Sequence, residues 1–299
     1  LTGSASEAGP VVGVLGPRTA QILKPTRPQA WAAAVEDRGK DLPNDLRAVS
    51  FLEAEYATVI LPNLVTTRDD YLKVRRSGRG VALNRSRRNA VWDTVEAYRA
   101  AAAADGTTDF EEKAAIATRL LTNRNGEGLA DHVLVDEAQD LSPCRLMLLR
   151  ALVAPGLNDL FLADDSHQRI YGQRIVLSRY GINIVGRSRR LMLNYRTTQQ
   201  NLRYALSMLT GSDYTDLEDE IEAGQGYRSS RRGPKPVVKS VGSLTEEYDL
   251  TAEIVRKWID DGTTPQTIGL LVPTRKEAES LPRALGDRGV TVAFVDRDT

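Results

Sequence analysis

The feature that most restricts the fold is a short apolar run that stops at paired acids and then recurs. His132-Val133-Leu134-Val135 ends at Asp136-Glu137, and Leu160-Phe161-Leu162-Ala163 ends at Asp164-Asp165. Runs this short and this rich in aliphatic residues read as buried strands. Between them, Ser142 and Pro143 offer an N-cap and a first helical position, followed by Leu146, Leu149 and Leu152 at helical spacing. The pattern is therefore strand, helix, strand, with each strand ending in an acidic loop.

The alternation continues downstream. Leu191 to Leu193 reads as a strand, and Thr197 caps a helix through Leu202, Ala205, Leu206 and Leu209 that Gly211 closes. After a Gly/Ser/Arg-rich connector from Gly224 to Gly233, Val237-Val238 begins another strand. Ser243 and Glu246 form a capping box for a helix carrying Leu250, Ile254 and Trp258, with Gly262 at its end. Strand Ile268 to Val272, a helix through Leu281 and Leu285, and strand Val290 to Val295 complete the series. Such alternation predicts an α/β fold with mainly parallel, doubly wound sheets.

Upstream the pattern is helical from Phe51 to Leu121, with Val91, Val95 and Tyr98 on one face, Ile116, Leu120 and Leu121 on another, and a loop at Gly78 and Gly80. Before that, Pro10, Pro17, Pro25, Pro28 and Pro43 break any long element. The 299 residues suffice for two domains. A single cysteine, Cys144, excludes an internal disulfide, and no apolar run approaches the roughly 20 residues that span a bilayer. A cytoplasmic location is expected, with no membrane partner. The chain opens Leu1-Thr2-Gly3-Ser4 without an initiator methionine and reads as a partial chain.

Charge must be read locally, because 40 basic side chains balance 40 acidic ones. Between Arg68 and Arg88 lie Arg68, Lys73, Arg75, Arg76, Arg79, Arg85, Arg87 and Arg88, opposed only by Asp69 and Asp70. That run is a candidate phosphate-contacting patch, or else a solvated loop. With His132 and His167 the only histidines, the usual zinc ligand set cannot be assembled.

Open α/β sheets bind ligands beyond the carboxyl ends of their strands, where both acidic clusters fall. In Asp136-Glu137-Ala138-Gln139-Asp140 one carboxylate can hold Mg²⁺ directly or through water while its neighbour orients or deprotonates a water attacking a phosphoryl group. The same acids could merely cap the next helix from a solvated loop. The residue types alone leave both readings open.

Three boxes, in order, carry a family resemblance. Asp136 to Asp140 resembles the DExQD Walker B box of UvrD/Rep-type superfamily 1 DNA helicases. Asp165-Ser166-His167-Gln168-Arg169-Ile170-Tyr171-Gly172-Gln173-Arg174 resembles their GDxxQxIYxWRG motif, and Leu193-Asn194-Tyr195-Arg196-Thr197-Thr198 their LxxNYRST box. The resemblance covers roughly Asp109 to Thr299 and implies two RecA-like doubly wound domains, both partial, with a mainly helical insertion in the first. The expected division is 1–48 and 126–188 for the first RecA-like domain, 49–125 for the inserted helical subdomain and 189–299 for the second domain.

The resemblance implies ATP and Mg²⁺ as cofactors and single-stranded and partly duplex DNA as partners, with movement in the 3′ to 5′ direction. Asp136 would coordinate Mg²⁺, and Glu137 would act as general base. Gln139 and Gln168 would sense the γ-phosphate, Arg196 would contact it, and Tyr195 would stack on adenine. Tyr171 and Arg174, with Arg75, Arg76 and Arg79 of the basic run, would contact DNA. Taken without the family, Arg196 reads as a surface ion-pair member and Tyr195 as a core aromatic.

Two departures stand out. No GxxxxGK[ST] phosphate loop occurs in the sequence, which truncation at both ends explains more simply than degeneration. Gln173 replaces the aromatic that commonly stacks on a DNA base, a contact worth about 1–3 kcal/mol. The alternatives to a motor are a non-catalytic helicase-like interaction module and the motor part of a helicase and nuclease fusion.

Overall fold

The structure is a computed structural model that describes residues 13–16, 24–25, 29–76, 79–123, 128–168, 175–209, 214–215, 221–222 and 226–295. Two compact units divide the chain, Leu1–Arg232 and Gly233–Thr299. Small parallel sheets with flanking helices make it an α/β protein. Among the described residues no helix is long and apolar enough to cross a membrane.

The helical body of the first unit contains α1 (Ala30–Arg38), α2 (Val49–Glu55), α3 (Arg68–Lys73), α4 (Arg85–Asp105) and α5 (Phe110–Thr122). Strands β1 (Lys24–Pro25) and β2 (Thr107–Thr108) form a short parallel pair beside it. Local chemistry sets the helix ends. Asn84 caps α4 by accepting the Arg87 N–H, and Asp109 and Glu112 complete a reciprocal capping box on α5. Gly106 follows α4 in the left-handed region, at φ 62°, which costs a residue without Cβ nothing.

The core of this body is aromatic and, unusually, polar. Trp31 stacks on Tyr98 at 4.0 Å, and Tyr56 meets both rings edge-on. Each ring buried contributes on the order of 2 kcal/mol of apolar transfer. The Tyr56 hydroxyl donates to the buried Glu112 at 2.7 Å and accepts from Arg99 at 3.1 Å, so its polar end is satisfied. After α2 the chain widens into a π-helical turn, Tyr56–Ile60, in which Leu61 N–H donates to Tyr56 C=O. No residue pattern announced that turn.

Strands β3 (Val133–Val135) and β4 (Leu160–Leu162) pair in parallel, Val133 opposite Leu160 and Val135 opposite Leu162, as the repeated strand pattern predicts. Helix α6 (Pro143–Leu152) joins them, capped by Ser142 as expected. Val135, Leu160 and Leu162 pack on Ala138, Leu146, Ile175, Leu177 and Ile182, while Leu134 and Phe161 face outward. The start of α6 is tied to the helical body: Ser142 Oγ donates to Glu111, and Arg145 pairs with Glu111 at 3.0 Å.

Strand β5 (Leu193–Thr198) contains the whole Leu-Asn-Tyr-Arg-Thr-Thr box rather than ending before it. Thr198, one residue later than the sequence suggested, caps α7 (Gln199–Met208); Gly211 lies outside the described residues. The hairpin β6 (Tyr214–Thr215) and β7 (Ile221–Glu222) follows. Within the presumed connector, Arg228–Arg231 forms β8, which pairs in parallel with β5. Propensity argues against a strand of Arg and Ser, but backbone pairing with β5 and the Ser229 N–H donated to Gln199 at 2.7 Å override it.

In the second unit, α8 (Leu244–Asp260) and α9 (Arg275–Gly286) bury Ala252, Val255, Leu281 and Leu285. Ser243 accepts the Glu246 N–H, but Glu246 reaches back to Gly242 N–H, one residue beyond the expected capping box. The strands expected at 237–238, 268–272 and 290–295 are not formed among the described residues. Ile268, Leu270 and Val272 do pack inward while Leu271 is 99% exposed. The alternation was real, yet alternation specifies a buried face and not a hydrogen-bonding neighbour.

Candidate functional site

β3 delivers Asp136 and Glu137 to the carboxyl end of the small sheet, and β4 delivers Asp165 beside them. Ala163 N–H donates to Val135 C=O at 2.8 Å, and Ala138 N–H to Ala163 C=O at 2.9 Å, so the two turns leave the sheet in step. Asp136 accepts the Glu137 N–H at 3.0 Å. Both side chains are exposed, and neither has a basic partner among the described residues.

Glu137 sits in the left-handed region at φ 54° and ψ 43°. A residue with a Cβ held there costs on the order of 1 kcal/mol, and such outliers collect where a side chain must be aimed. Gln139 holds the aim. It is 4% exposed, donates Nε2–H to Glu137 Oε2 at 2.5 Å and accepts the Asp165 N–H on Oε1 at 3.0 Å. Asp165 in turn accepts from the His167 N–H at 3.0 Å and from Gln168 Nε2 at 2.6 Å. Asp136, Glu137, Gln139, Asp165 and Gln168 thus form one hydrogen-bonded edge at the strand ends.

This edge can support hard-cation chemistry. Among the described residues no group of three or more His, Cys, Asp or Glu is arranged as a metal cage. Mg²⁺ does not require one, since it keeps several waters and takes one or two carboxylates plus phosphate oxygens. Asp136, exposed and without a basic partner among the described residues, fits that manner of binding.

Tyr195 and Arg196 lie on β5, exposed; Tyr195 is 70% accessible. Among the described residues no hydrogen bond or ion pair joins Arg196 to Glu137 or Gln168. His167, in the 165–168 turn, meets Tyr227 edge-on at 6.0 Å, just before β8. Tyr171 and Arg174 lie outside the described residues.

The basic run differs from its sequence reading. Glu55, fully buried, accepts Arg76 Nε at 2.5 Å and Nη2 at 2.8 Å, Arg79 Nε at 2.8 Å and the Tyr71 hydroxyl at 2.8 Å. The side chains of Arg76 and Arg79 are only 5% exposed. Arg88 donates to the carbonyls of Tyr71, Leu72 and Val74, and Arg68 pairs with Asp93 and Glu96. Arg75 remains exposed. Sequence reasoning missed Glu55 because the two arginines that answer it lie 21 and 24 residues away.

Comparison with known families matches residues 41–176 to the UvrD/REP helicase N-terminal domain. The match takes in α2 to α6 and both strand ends of the candidate site. A search of curated proteins finds no match.

Proposed function

We propose that the chain, whose residues 41–176 match the UvrD/REP helicase N-terminal domain, supplies the hydrolytic edge of an ATP-driven motor on single-stranded DNA. The observation that carries this reading is the Gln139 bridge, which fixes a strained Glu137 beside the Asp165 turn. Catalysis of phosphoryl transfer is mostly positioning and charge stabilisation, and this edge is built to position.

In this proposal Asp136 holds Mg²⁺, which when bound neutralises charge on the β- and γ-phosphate oxygens. Glu137 accepts the proton of the attacking water. Gln139, whose amide is committed at both ends, acts through Glu137 and the Asp165 turn. Gln168 reports on the γ-phosphate, Arg196 contacts it, and Tyr195 stacks on adenine. Two RecA-like domains, unwinding in the 3′ to 5′ direction and DNA contact by Arg75, Tyr171 and Arg174 belong to the same proposal.

The test is phosphate release, measured with and without single-stranded DNA, on this chain and on the complete product of its gene. The chain by itself has no GxxxxGK[ST] to cradle the phosphates and should release none above background. The complete product should hydrolyse ATP, faster with DNA, and Glu137→Gln should abolish turnover while nucleotide binding persists. Full turnover in the glutamine variant would remove Glu137 from the mechanism. A complete product that binds DNA without hydrolysis would favour the second reading, a non-catalytic helicase-like module, for which the missing phosphate loop in this sequence speaks.

A further inference from the structure

The acidic turn is fixed at its start by β3 and in its middle by Gln139. Its far end runs into α6, and there a residue of the helical body holds it. Ser142 Oγ donates to one carboxylate oxygen of Glu111, and Arg145 Nε pairs with the other at 3.0 Å. Glu111 lies in the first turn of α5. Its neighbour Glu112 turns into the core of the body, where it accepts the Tyr56 and Thr108 hydroxyls at 2.7 and 2.8 Å. One turn of helix is thus held in the core by one acid and holds α6 by the next.

Helix α6 is shared between two cores. Cys144 belongs to the buried cluster of the helical body and Leu148 packs against that cluster, whereas Leu146 belongs to the cluster beneath β3 and β4. Cys144 Sγ also donates to the Ala57 carbonyl in the π-helical turn at 3.6 Å. From Glu137 to Ser142 the backbone is short and internally bonded: Asp140 N–H donates to Glu137 C=O at 3.1 Å, and Leu141 N–H to Ala138 C=O at 3.2 Å. A span so short passes a displacement of Ser142 on to Glu137, and reacting groups are held in place by such supporting contacts.

We infer that Glu111 is a positioning residue for the hydrolytic edge: through Ser142 and Arg145 it sets where the 136–140 turn sits, and so the aim of Glu137. The consequence for turnover rests on the hydrolysis reading; the tie itself does not. Stability explains the contact poorly. The Arg145 side chain is 48% exposed, and an ion pair of that kind adds little to folding. Capping α6 requires of Ser142 only an acceptor, not the hydroxyl proton that Glu111 receives. Misplacing a reacting group by about 1 Å can cost about 100-fold in rate, so a contact that matters little for folding can matter greatly for turnover.

The test reverses the Ser142–Glu111 bond. Ser142→Asp keeps an acceptor for the Arg145 N–H, and so keeps the cap, but sets a second carboxylate against Glu111. Adding Glu111→Gln supplies an amide donor and restores the bond in the opposite direction. In the 299-residue chain, hydrogen exchange at the Asp140 and Leu141 amides should quicken in the single variant and return toward the wild type in the double one. In the complete product of the gene, the single variant should lower kcat on the order of tenfold at unchanged KM for ATP, and the double variant should recover most of that loss. A merely structural tie would shift the melting temperature without separating kcat from KM. Unchanged exchange overturns the tie whether or not the product hydrolyses ATP. Altered exchange with unaltered kcat, or a double variant no better than the single one, overturns the positioning role. Turnover of the wild-type product, measured beside them, decides the hydrolysis reading itself.

Discussion

Two arginine-rich regions of the first unit illustrate how little a window of sequence says about surface potential. The run from Arg68 to Arg88 is the denser of the two, yet most of its cations are answered from a distance: Glu55 takes Arg76 and Arg79, Asp93 and Glu96 take Arg68, and carbonyls of α3 and its exit take Arg88. The run from Arg187 to Arg232 is diluted by an acidic insert in sequence, but β5 and β8 bring its arginines together without carboxylates among the described residues. In the first region cations secure a fold. In the second they lie exposed on and beside the β5–β8 pair.

The largest effect should come from removing the buried counter-charge. Glu55→Gln leaves Arg76 and Arg79 buried without the one carboxylate they share, and breaking one side of a buried ion cluster typically costs about 3–5 kcal/mol. Denaturant unfolding would read it. A loss below about 1 kcal/mol would mean that these arginines reach solvent easily, and the contrast between the regions would collapse.

Next in size are the arginines themselves. Arg76→Ala should cost about 2–4 kcal/mol by stranding part of Glu55 and its Tyr71 hydrogen bond. Arg228→Ala should stay within about 0.5 kcal/mol, as exposed substitutions usually do. Equal losses in denaturant unfolding at the two positions would dissolve the distinction between fold-securing and exposed arginines.

Legibility in the sequence followed the range of the interactions involved. The Ser142 cap, Pro143, the two strand ends at Asp136 and Asp165 and the Ser243 cap are governed by residues within a few positions, and all were readable. The Glu55 cluster, the parallel partner of Arg228–Arg231 and the missing ladders at 268–272 and 290–295 depend on what lies across space. The same holds inside the site. A box of acids marked Asp136 and Glu137 as candidates, but that Gln139 spends both ends of its amide on Glu137 and Asp165 follows only from the pairing of β3 with β4.

The smallest effect sharpens the comparison from the acid side. Asp109, like Glu55, is a carboxyl inside the helical body, but it accepts only from neutral donors, the Tyr98 hydroxyl at 2.6 Å and the Glu112 N–H at 2.7 Å. Burial and then the charge of Glu112 push its pKa up to about 6. A carboxyl raised in the folded state contributes stability that is complete below its unfolded value near 3.8 and is lost as pH rises through about 6. Asp109→Asn keeps a good N-cap on α5, because asparagine accepts the Glu112 N–H equally well, and removes the ionisation. The variant should therefore gain on the wild type between about pH 4 and about pH 7, by on the order of 1–2 kcal/mol, less than the full shift implies because Glu112 relaxes in concert. Paired unfolding curves across that range isolate the one group from every other titration. A stability difference that does not vary with pH would show that Asp109 ionises freely in the fold, and that a buried carboxyl here needs no arginine to be tolerated.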